Sequence, residues 1–195
     1  MIRPSRRAFA AAAFSLAVPA LLAAQAQPQP KPDAFVPQVG DVAPEFTARG
    51  ATRDGVLARP ISLAELKGKT VVLAFFPMAR TSGCTVQMQT YRDRYDELFK
   101  GGKDVVLIGV SADADTTLTA WAKEQDFPML FASDVEGTIG ALYGAKRPSG
   151  KALARHLYVI GPDGRITHKA APFNVMSQDA YADLGKAVEA AAAKK

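Results

Sequence analysis

From Thr70 to Phe76 the chain runs Thr-Val-Val-Leu-Ala-Phe-Phe without a charge, and a different rhythm follows it. A short unbroken apolar run of this kind reads as a strand buried on both faces. Beyond it, Met88, Tyr91, Tyr95, Leu98 and Phe99 recur at three- and four-residue intervals, ahead of Gly101-Gly102. That period predicts one buried face of a helix, ending at the glycine pair. Val105 to Ser111 is a second apolar run, with the β-branched content of a central strand. Asp115 to Gln125 predicts the next helix, with Trp121 in the core. Phe127 to Phe131 predicts a short strand, placed at an edge because Pro128 cannot donate to a ladder. Thr138 to Tyr143 predicts a helix with Gly144 just past its end. Leu157 to Ile160 and Arg165 to His168, joined by Gly161-Pro162-Asp163-Gly164, predict a β-hairpin. Asp179 to Ala193 predicts a terminal helix capped by Ser177 or Asp179. Upstream, Gly55 to Ser62 predicts a short strand, and Leu63 to Leu66 one helical turn ending near Gly68.

The element order is a βαβ unit, then αβ, then ββα. The first crossover is long enough to be parallel and right-handed, and the closing hairpin is antiparallel. This is the order of thioredoxin-like folds: an α/β architecture with a mixed central sheet flanked by helices.

Residues before Val39 follow another pattern. Ser5-Arg6-Arg7-Ala8-Phe9 precedes an Ala/Leu-rich stretch from Ala10 to Ala24, and Ala24-Gln25-Ala26 has the small-x-small form of a cleavage site. Residues 1–26 therefore read as a signal peptide, and the paired arginines point to twin-arginine export. An ordinary secretory signal with a chance Arg pair is the alternative. Both routes export the mature chain, to the periplasm or otherwise out of the cytosol. The stretch is short, weakly apolar and interrupted by Pro19, so stable membrane association is not expected after cleavage. Residues 27–38, with Pro28, Pro30, Pro32 and Pro37 among glutamines, read as a Pro/Gln-rich linker. Residues 39–195 suffice for one domain.

Cleavage changes the charge. The whole chain has 24 Lys+Arg against 19 Asp+Glu, a net +5. Arg3, Arg6 and Arg7 lie in the signal, which holds no acidic residue, so 21 basic and 19 acidic residues remain, a net +2. The basic pI of 9.4 is largely the signal's, and no nucleic-acid partner is implied.

The chain has 1 cysteine and 2 histidines, which argues against a zinc site and excludes an intramolecular disulfide. In an oxidising compartment a lone thiol is either buried and inert or reactive. Cys84 lies where the Thr70–Phe76 strand feeds the first turn of the following helix. Unpaired N–H groups and the helix dipole stabilise an anion there.

The spacing Pro77-x-x-x-Thr81-x-x-Cys84 resembles the peroxide-reacting loop of peroxiredoxins, and Gly83-Cys84-Thr85 with Gln87 is similar to the Q-type (bacterioferritin-comigratory) branch. Further landmarks are Gly40-Asp41-Val42-Ala43-Pro44-Glu45-Phe46, Ala132-Ser133-Asp134 and Tyr143-Gly144-Ala145. Gly55 to Leu66 matches the piece that peroxiredoxins add to the thioredoxin fold. The resemblance covers roughly Val39 to Ala170. It implies a thiol peroxidase acting on hydrogen peroxide or organic hydroperoxides, with no cofactor. Cys84 is then the nucleophile, and Arg155, opening the hairpin strand, holds the thiolate and polarises the peroxide. Thr81 accepts from the peroxide or bonds the thiolate, and Pro77 shields it. The N–H groups around Gly83 face the same spot, and Gln87 hydrogen-bonds near Arg155.

Plainer readings stand beside these. Thr81 serves equally as a helix cap, Arg155 as a surface ion-pair residue and Gln87 as an exposed helix glutamine. Arg80 and Arg92 read as solvated charges, and His156 and His168 carry little catalytic weight. Two departures from the branch matter. The position five after Cys84, often a resolving cysteine there, is Gln89, and Leu157 replaces a small hydroxyl residue. The expectation is a one-cysteine enzyme recycled by an external thiol or dithiol, as a monomer or weak homodimer. Two rivals are a non-catalytic thioredoxin-fold binding or chaperone module and a thiol–disulfide exchanger. The second is disfavoured because Thr81 stands where a C-x-x-C pair has its first cysteine.

Overall fold

The computed structural model describes residues 36–194. The signal peptide expected at residues 1–26 and most of the expected linker, residues 27–35, lie outside the described residues. Eight strands form one mixed sheet: β1 (Thr47–Thr52), β2 (Gly55–Val56), β3 (Ile61–Ser62), β4 (Thr70–Phe75), β5 (Val105–Ser111), β6 (Leu130–Ser133), β7 (Leu157–Ile160) and β8 (Ile166–Ala170). Their spatial order is β2-β1-β6-β5-β4-β7-β8, with β3 also paired to β1. The helices are α1 (Ser82–Asp93), α2 (Tyr95–Phe99), α3 (Asp115–Glu124), α4 (Thr138–Leu142) and α5 (Gln178–Ala192). Strands β4, β5 and β6 are parallel, while β7 runs antiparallel to β4 and pairs with β8 as a hairpin.

Side chains alternate across β4 as a strand buried on both faces requires. Val72 and Ala74 join Met88, Tyr91, Leu118, Trp121, Tyr181, Leu184 and Val188 in one apolar cluster. Val71, Leu73 and Phe75 join Phe46, Ile108, Ile139, Tyr143 and Tyr158 in another. Helices α1, α2, α3 and α5 thus cover one face of the sheet, and α4 with the N-terminal segment covers the other. Ser177 supplies the cap of α5, its hydroxyl accepting from the Ala180 N–H. Trp121 is core, with its ring against Phe76, Phe127 and Phe131.

Three expectations change. The strand near Pro128 begins only at Leu130 and lies inside the sheet, because β1 pairs along its outer side, Arg49 opposite Ser133. The strand expected from Gly55 to Ser62 is two separate two-residue strands, each paired to β1. Their chain crosses close over β1. A Cβ at Gly50 would sit 2.7 Å from Leu57 and 2.8 Å from Ile61, so only glycine fits there. Finally, the long helix breaks at Arg94 (φ −115°, ψ 29°), so α1 and α2 are distinct. Apolar spacing continues through the break, and periodicity alone merges the two.

Candidate active site

The strand-to-helix turn is fastened at several points before it delivers Cys84. The Phe76 N–H donates to the Val110 carbonyl over 3.0 Å, extending the sheet past the end of β4. The Ala79 N–H then donates to Asp113 Oδ2 over 2.8 Å, and the Ser111 hydroxyl donates to the same oxygen over 2.8 Å. Arg80 takes a left-handed backbone (φ 61°), unusual for a side chain with a Cβ. Its guanidinium forks onto the Glu124 carboxylate at 3.1 and 2.6 Å.

Thr81 is the N-cap residue of α1. Its carbonyl accepts the first helical bond, from the Thr85 N–H over 2.8 Å. Its hydroxyl makes no capping bond and donates to the Met78 carbonyl over 3.0 Å. Cys84 is therefore the third residue of the helix, within the turn whose N–H groups lack intrahelical acceptors. Its side chain is fully buried.

Arg155 reaches the thiol from the segment entering β7. The register of β7 on β4 sets its position: the Phe75 N–H donates to the His156 carbonyl over 2.8 Å, and the Phe173 N–H to the Arg155 carbonyl over 2.7 Å. Arg155 Nη2 lies 3.5 Å from Cys84 Sγ. Nη1 donates to Gln87 Oε1 over 2.5 Å, and Gln87 Nε2 donates to the Tyr91 hydroxyl over 3.1 Å. Cys84, Gln87 and Tyr91 occupy one face of α1, at the i, i+3, i+7 spacing. Burial pushes the Tyr91 phenol well above its ordinary pKa, so it stays neutral. Among the described residues no carboxylate pairs with Arg155. Its half-buried charge faces a sulfur and an amide oxygen.

The structure brings together Cys84, Arg155, Gln87 and Gly83, whose Cβ position is 3.4 Å from Arg155 Nη2. Thr81 lies exposed on the rim and has no hydrogen bond to Cys84 or Arg155. Pro77 is half-buried at the start of the turn. Arg80 and Arg92 are not free charges: Arg80 pairs with Glu124, and Arg92 Nη1 donates to the Gln125 carbonyl over 2.7 Å. Tyr91, Asp113 and Glu124 escaped the sequence reading. Tyr91 was detectable from its spacing to Cys84 and Gln87, whereas Asp113 and Glu124 reach the turn only through the fold.

The fold is thus a thioredoxin-like sheet that presents a buried thiol on the first turn of a helix, 3.5 Å from a guanidinium that pairs with no carboxylate among the described residues. The chain belongs to the AhpC/TSA family, whose model matches residues 39–169. It is 35% identical over 130 residues to the chloroplast peroxiredoxin Q of Sedum lineare, covering 65% of each chain. It spans 56% of the corresponding protein of Gentiana triflora, also at 35% identity. With peroxiredoxin Bcp of Escherichia coli K12 it shares 33% identity over 137 residues, 67% of this chain and 83% of that one. The crystal structure of peroxidoxin BcpB from Mycobacterium tuberculosis superposes with a TM-score of 0.66 at 29% identity, covering 82% of this chain and 99% of that one. Peroxiredoxin Q of Xanthomonas campestris shares the fold, with a TM-score of 0.67 at 20% identity.

Proposed function

We propose that this chain is an exported one-cysteine thiol peroxidase that reduces hydrogen peroxide or organic hydroperoxides through Cys84. The observation that carries the reading is the approach of Arg155 Nη2 to Cys84 Sγ, 3.5 Å, with no carboxylate among the described residues paired to the guanidinium. A half-buried cation without a counter-ion is unfavourable, and a thiolate at Cys84 supplies the missing charge.

The thiolate attacks one peroxide oxygen in line with the O–O bond. An S–O bond forms, the O–O bond breaks, and the departing oxygen leaves as hydroxide or alkoxide and takes up a proton. Cys84 becomes a sulfenic acid. Ionisation alone falls short of this task. A free thiol with a pKa of ~8.5 is about 3% ionised at pH 7, so full ionisation gains only ~30-fold. The remainder comes from orienting the peroxide and stabilising charge on its leaving oxygen, for which Arg155 and the N–H groups of the first turn are placed. Thr81 has already committed its proton to Met78, so its oxygen is left to accept from the peroxide O–H. Pro77 shapes the turn that shields the sulfur.

Recycling needs an external thiol. Its thiolate attacks the Cys84 sulfur, forming an S–S bond as water leaves, and a second thiol releases Cys84 with a disulfide as product. Export, to the periplasm or otherwise out of the cytosol, is read from Arg6-Arg7 and the Ala10 to Ala24 stretch, and the enzyme is expected to be a monomer or weak homodimer. Stopped-flow mixing of the mature protein with one equivalent of hydrogen peroxide or cumene hydroperoxide, followed by mass detection of Cys84 sulfenic acid, tests the reading. A rate no faster than that of free cysteine would remove it.

A further inference from the structure

Arg155 works on one face of β7, and the residue after it is anchored on the other. Leu157 packs with Met88 and Tyr91, while Tyr158 packs with Phe75 and Tyr143. By alternation Arg155 shares the face of Leu157, and His156 shares that of Tyr158. The backbone here departs from a regular ladder. The His156 N–H donates to the Ala154 carbonyl over 3.1 Å, closing a three-residue turn centred on Arg155. Its flanks are fastened to the end of α4. The Ala154 N–H donates to the Ala145 carbonyl over 2.6 Å. The His156 imidazole is turned to the Tyr143 carbonyl, and the Tyr158 hydroxyl donates to that same oxygen over 2.6 Å. Tyr143 is a firm anchor, since its side chain is fully buried and its hydroxyl donates to the Pro44 carbonyl over 2.8 Å.

The two imidazole nitrogens have different surroundings. Nδ1 is buried and has no hydrogen-bond partner among the described residues. Nε2 is therefore the nitrogen left to meet the Tyr143 carbonyl, and it carries the proton, because a carbonyl only accepts. The site suits this neutral form. A second proton would put an N–H at Nδ1 with nothing to receive it, and would set a cation near the Lys169 ammonium of β8. Burial, opposed by the Tyr143 carbonyl and aided by Lys169, pushes the imidazole below its ordinary range. Tyr143 and Tyr158 are the other titratable groups on this side, and burial raises both phenols, so they stay neutral.

We propose that His156 is a positioning residue for the peroxide reaction: its neutral imidazole, set against the Tyr143 carbonyl, fixes the turn that aims Arg155 at Cys84. The proposal rests on the thiol-peroxidase reading and extends that site across the sheet. His156 touches neither sulfur nor peroxide and acts through the backbone it shares with Arg155. Gln87 holds the tip of the guanidinium, and His156 holds the root of the side chain. When the imidazole is protonated the turn loosens, and Arg155 keeps its charge but loses its direction. Iodoacetamide needs only the thiolate, whereas peroxide needs the thiolate and the aimed guanidinium. The ratio of peroxide to iodoacetamide rates therefore reports the aim and cancels the ionisation of Cys84.

That ratio, measured on the mature protein by stopped flow, tests the proposal. In the wild type it should fall between about pH 7.5 and about pH 5, values on either side of the ordinary imidazole titration. His156→Leu should lower it at pH ~7.5 by roughly 5-fold, the worth of one hydrogen bond, and leave it flat with pH. His156→Gln keeps a neutral N–H donor at the reach of Nε2, so it should hold the ratio within roughly 2-fold of wild type at pH ~7.5 and abolish the fall in acid. His168→Gln, on the other face of the sheet, should leave the fall intact. An unchanged ratio in His156→Leu, or a wild-type fall in His156→Gln, overturns the proposal. If His156→Leu does not fold, the pH profile of His156→Gln decides alone. Should the wild type react with peroxide no faster than free cysteine, the peroxidase reading fails. The Arg155 Nε–H resonance in the NMR spectrum then still decides the role of His156. It should move in His156→Leu and stay in place in His156→Gln, and an unmoved resonance in His156→Leu rejects that role.

Discussion

Gln87 aims Arg155. Its amide oxygen accepts from one terminal nitrogen of the guanidinium over 2.5 Å, and the other terminal nitrogen lies 3.5 Å from Cys84 Sγ. The guanidinium is a rigid planar fork, so fixing one nitrogen fixes the direction of the other. Tyr91 completes the arrangement. Its hydroxyl takes the Gln87 N–H, which leaves the amide oxygen turned towards Arg155.

Removing that acceptor should misdirect the guanidinium without removing its charge. Gln87→Leu is expected to lower the second-order rate with peroxide by roughly 10-fold, the equivalent of ~1.5 kcal/mol for a hydrogen bond to a charged group. Gln87→Glu keeps an acceptor in place but gives Arg155 the carboxylate it otherwise lacks, so it should keep the guanidinium aimed while lowering the peroxide and iodoacetamide rates together. Stopped-flow traces of the two variants with both reagents decide. A Gln87→Leu loss equal for peroxide and iodoacetamide would mean that Gln87 does not aim the guanidinium at peroxide.

Arg155 itself should matter beyond ionisation. Arg155→Met keeps much of the apolar stem and both backbone bonds, so the hairpin entry should persist. A return to the ionisation of a free thiol, with a pKa of ~8.5, accounts for about 30-fold at pH 7. A loss in peroxide rate larger than the loss in iodoacetamide rate assigns Arg155 to the transition state. If iodoacetamide and peroxide rates drop by the same factor, the residue only stabilises the thiolate.

The parts visible in the sequence are those whose pattern is local. β4, β5 and the hairpin announce themselves as dense apolar runs between turn residues, and Cys84 and Gln87 share a helix face by spacing alone. Arg155 is placed by the family resemblance, two residues ahead of β7, and by no local pattern. β1 is not, since Thr-Ala-Arg-Gly-Ala-Thr carries few strand-favouring side chains and pairs only because β2, β3 and β6 surround it. β6 is misread as an edge because Pro128, which argues for one, lies outside the strand, and β1 pairs along its outer side. The Arg80–Glu124 pair joins positions 44 residues apart, and no local pattern marks either partner.

Export has a direct test. Arg6→Lys with Arg7→Lys should abolish transport by the twin-arginine route, and N-terminal sequencing of periplasmic wild-type material should begin near Gln27. Unchanged export of the double-lysine variant would leave only a general secretory signal.

Stability should weaken in mild acid. Burial pushes the imidazoles of His156 and His168 below their ordinary range. Unfolded, each titrates near pH ~6.5, so just below that value the unfolded chain binds protons that the folded chain refuses. Stability is then full above the unfolded value and declines as pH falls from there towards the lower folded values. Urea midpoints at pH 7.5 and pH 5.5, about one unit either side of the unfolded titration, should differ in that direction. The double variant His156→Gln with His168→Gln should flatten the difference, and an unaltered pH slope would assign it to other groups.

Turnover is where this chain parts from relatives with a second cysteine. One equivalent of peroxide should convert Cys84 to a sulfenic acid, and with 1 cysteine in the chain no internal thiol can trap it. Further peroxide should carry it to sulfinic acid, which ordinary thiols do not reduce. Repeated turnover consequently needs added thiol and should pass through a mixed disulfide at Cys84. Gln89→Cys would place a thiol five residues on, but position 89 lies on the continuous helix α1, and in the wild type its side chain is bonded to Gln125. An internal disulfide in that variant should therefore form slowly. Full burial of Cys84 also argues against a disulfide between two copies of the chain. Non-reducing electrophoresis after stoichiometric peroxide should show monomer, and sustained peroxide consumption with no thiol present would sink the one-cysteine mechanism.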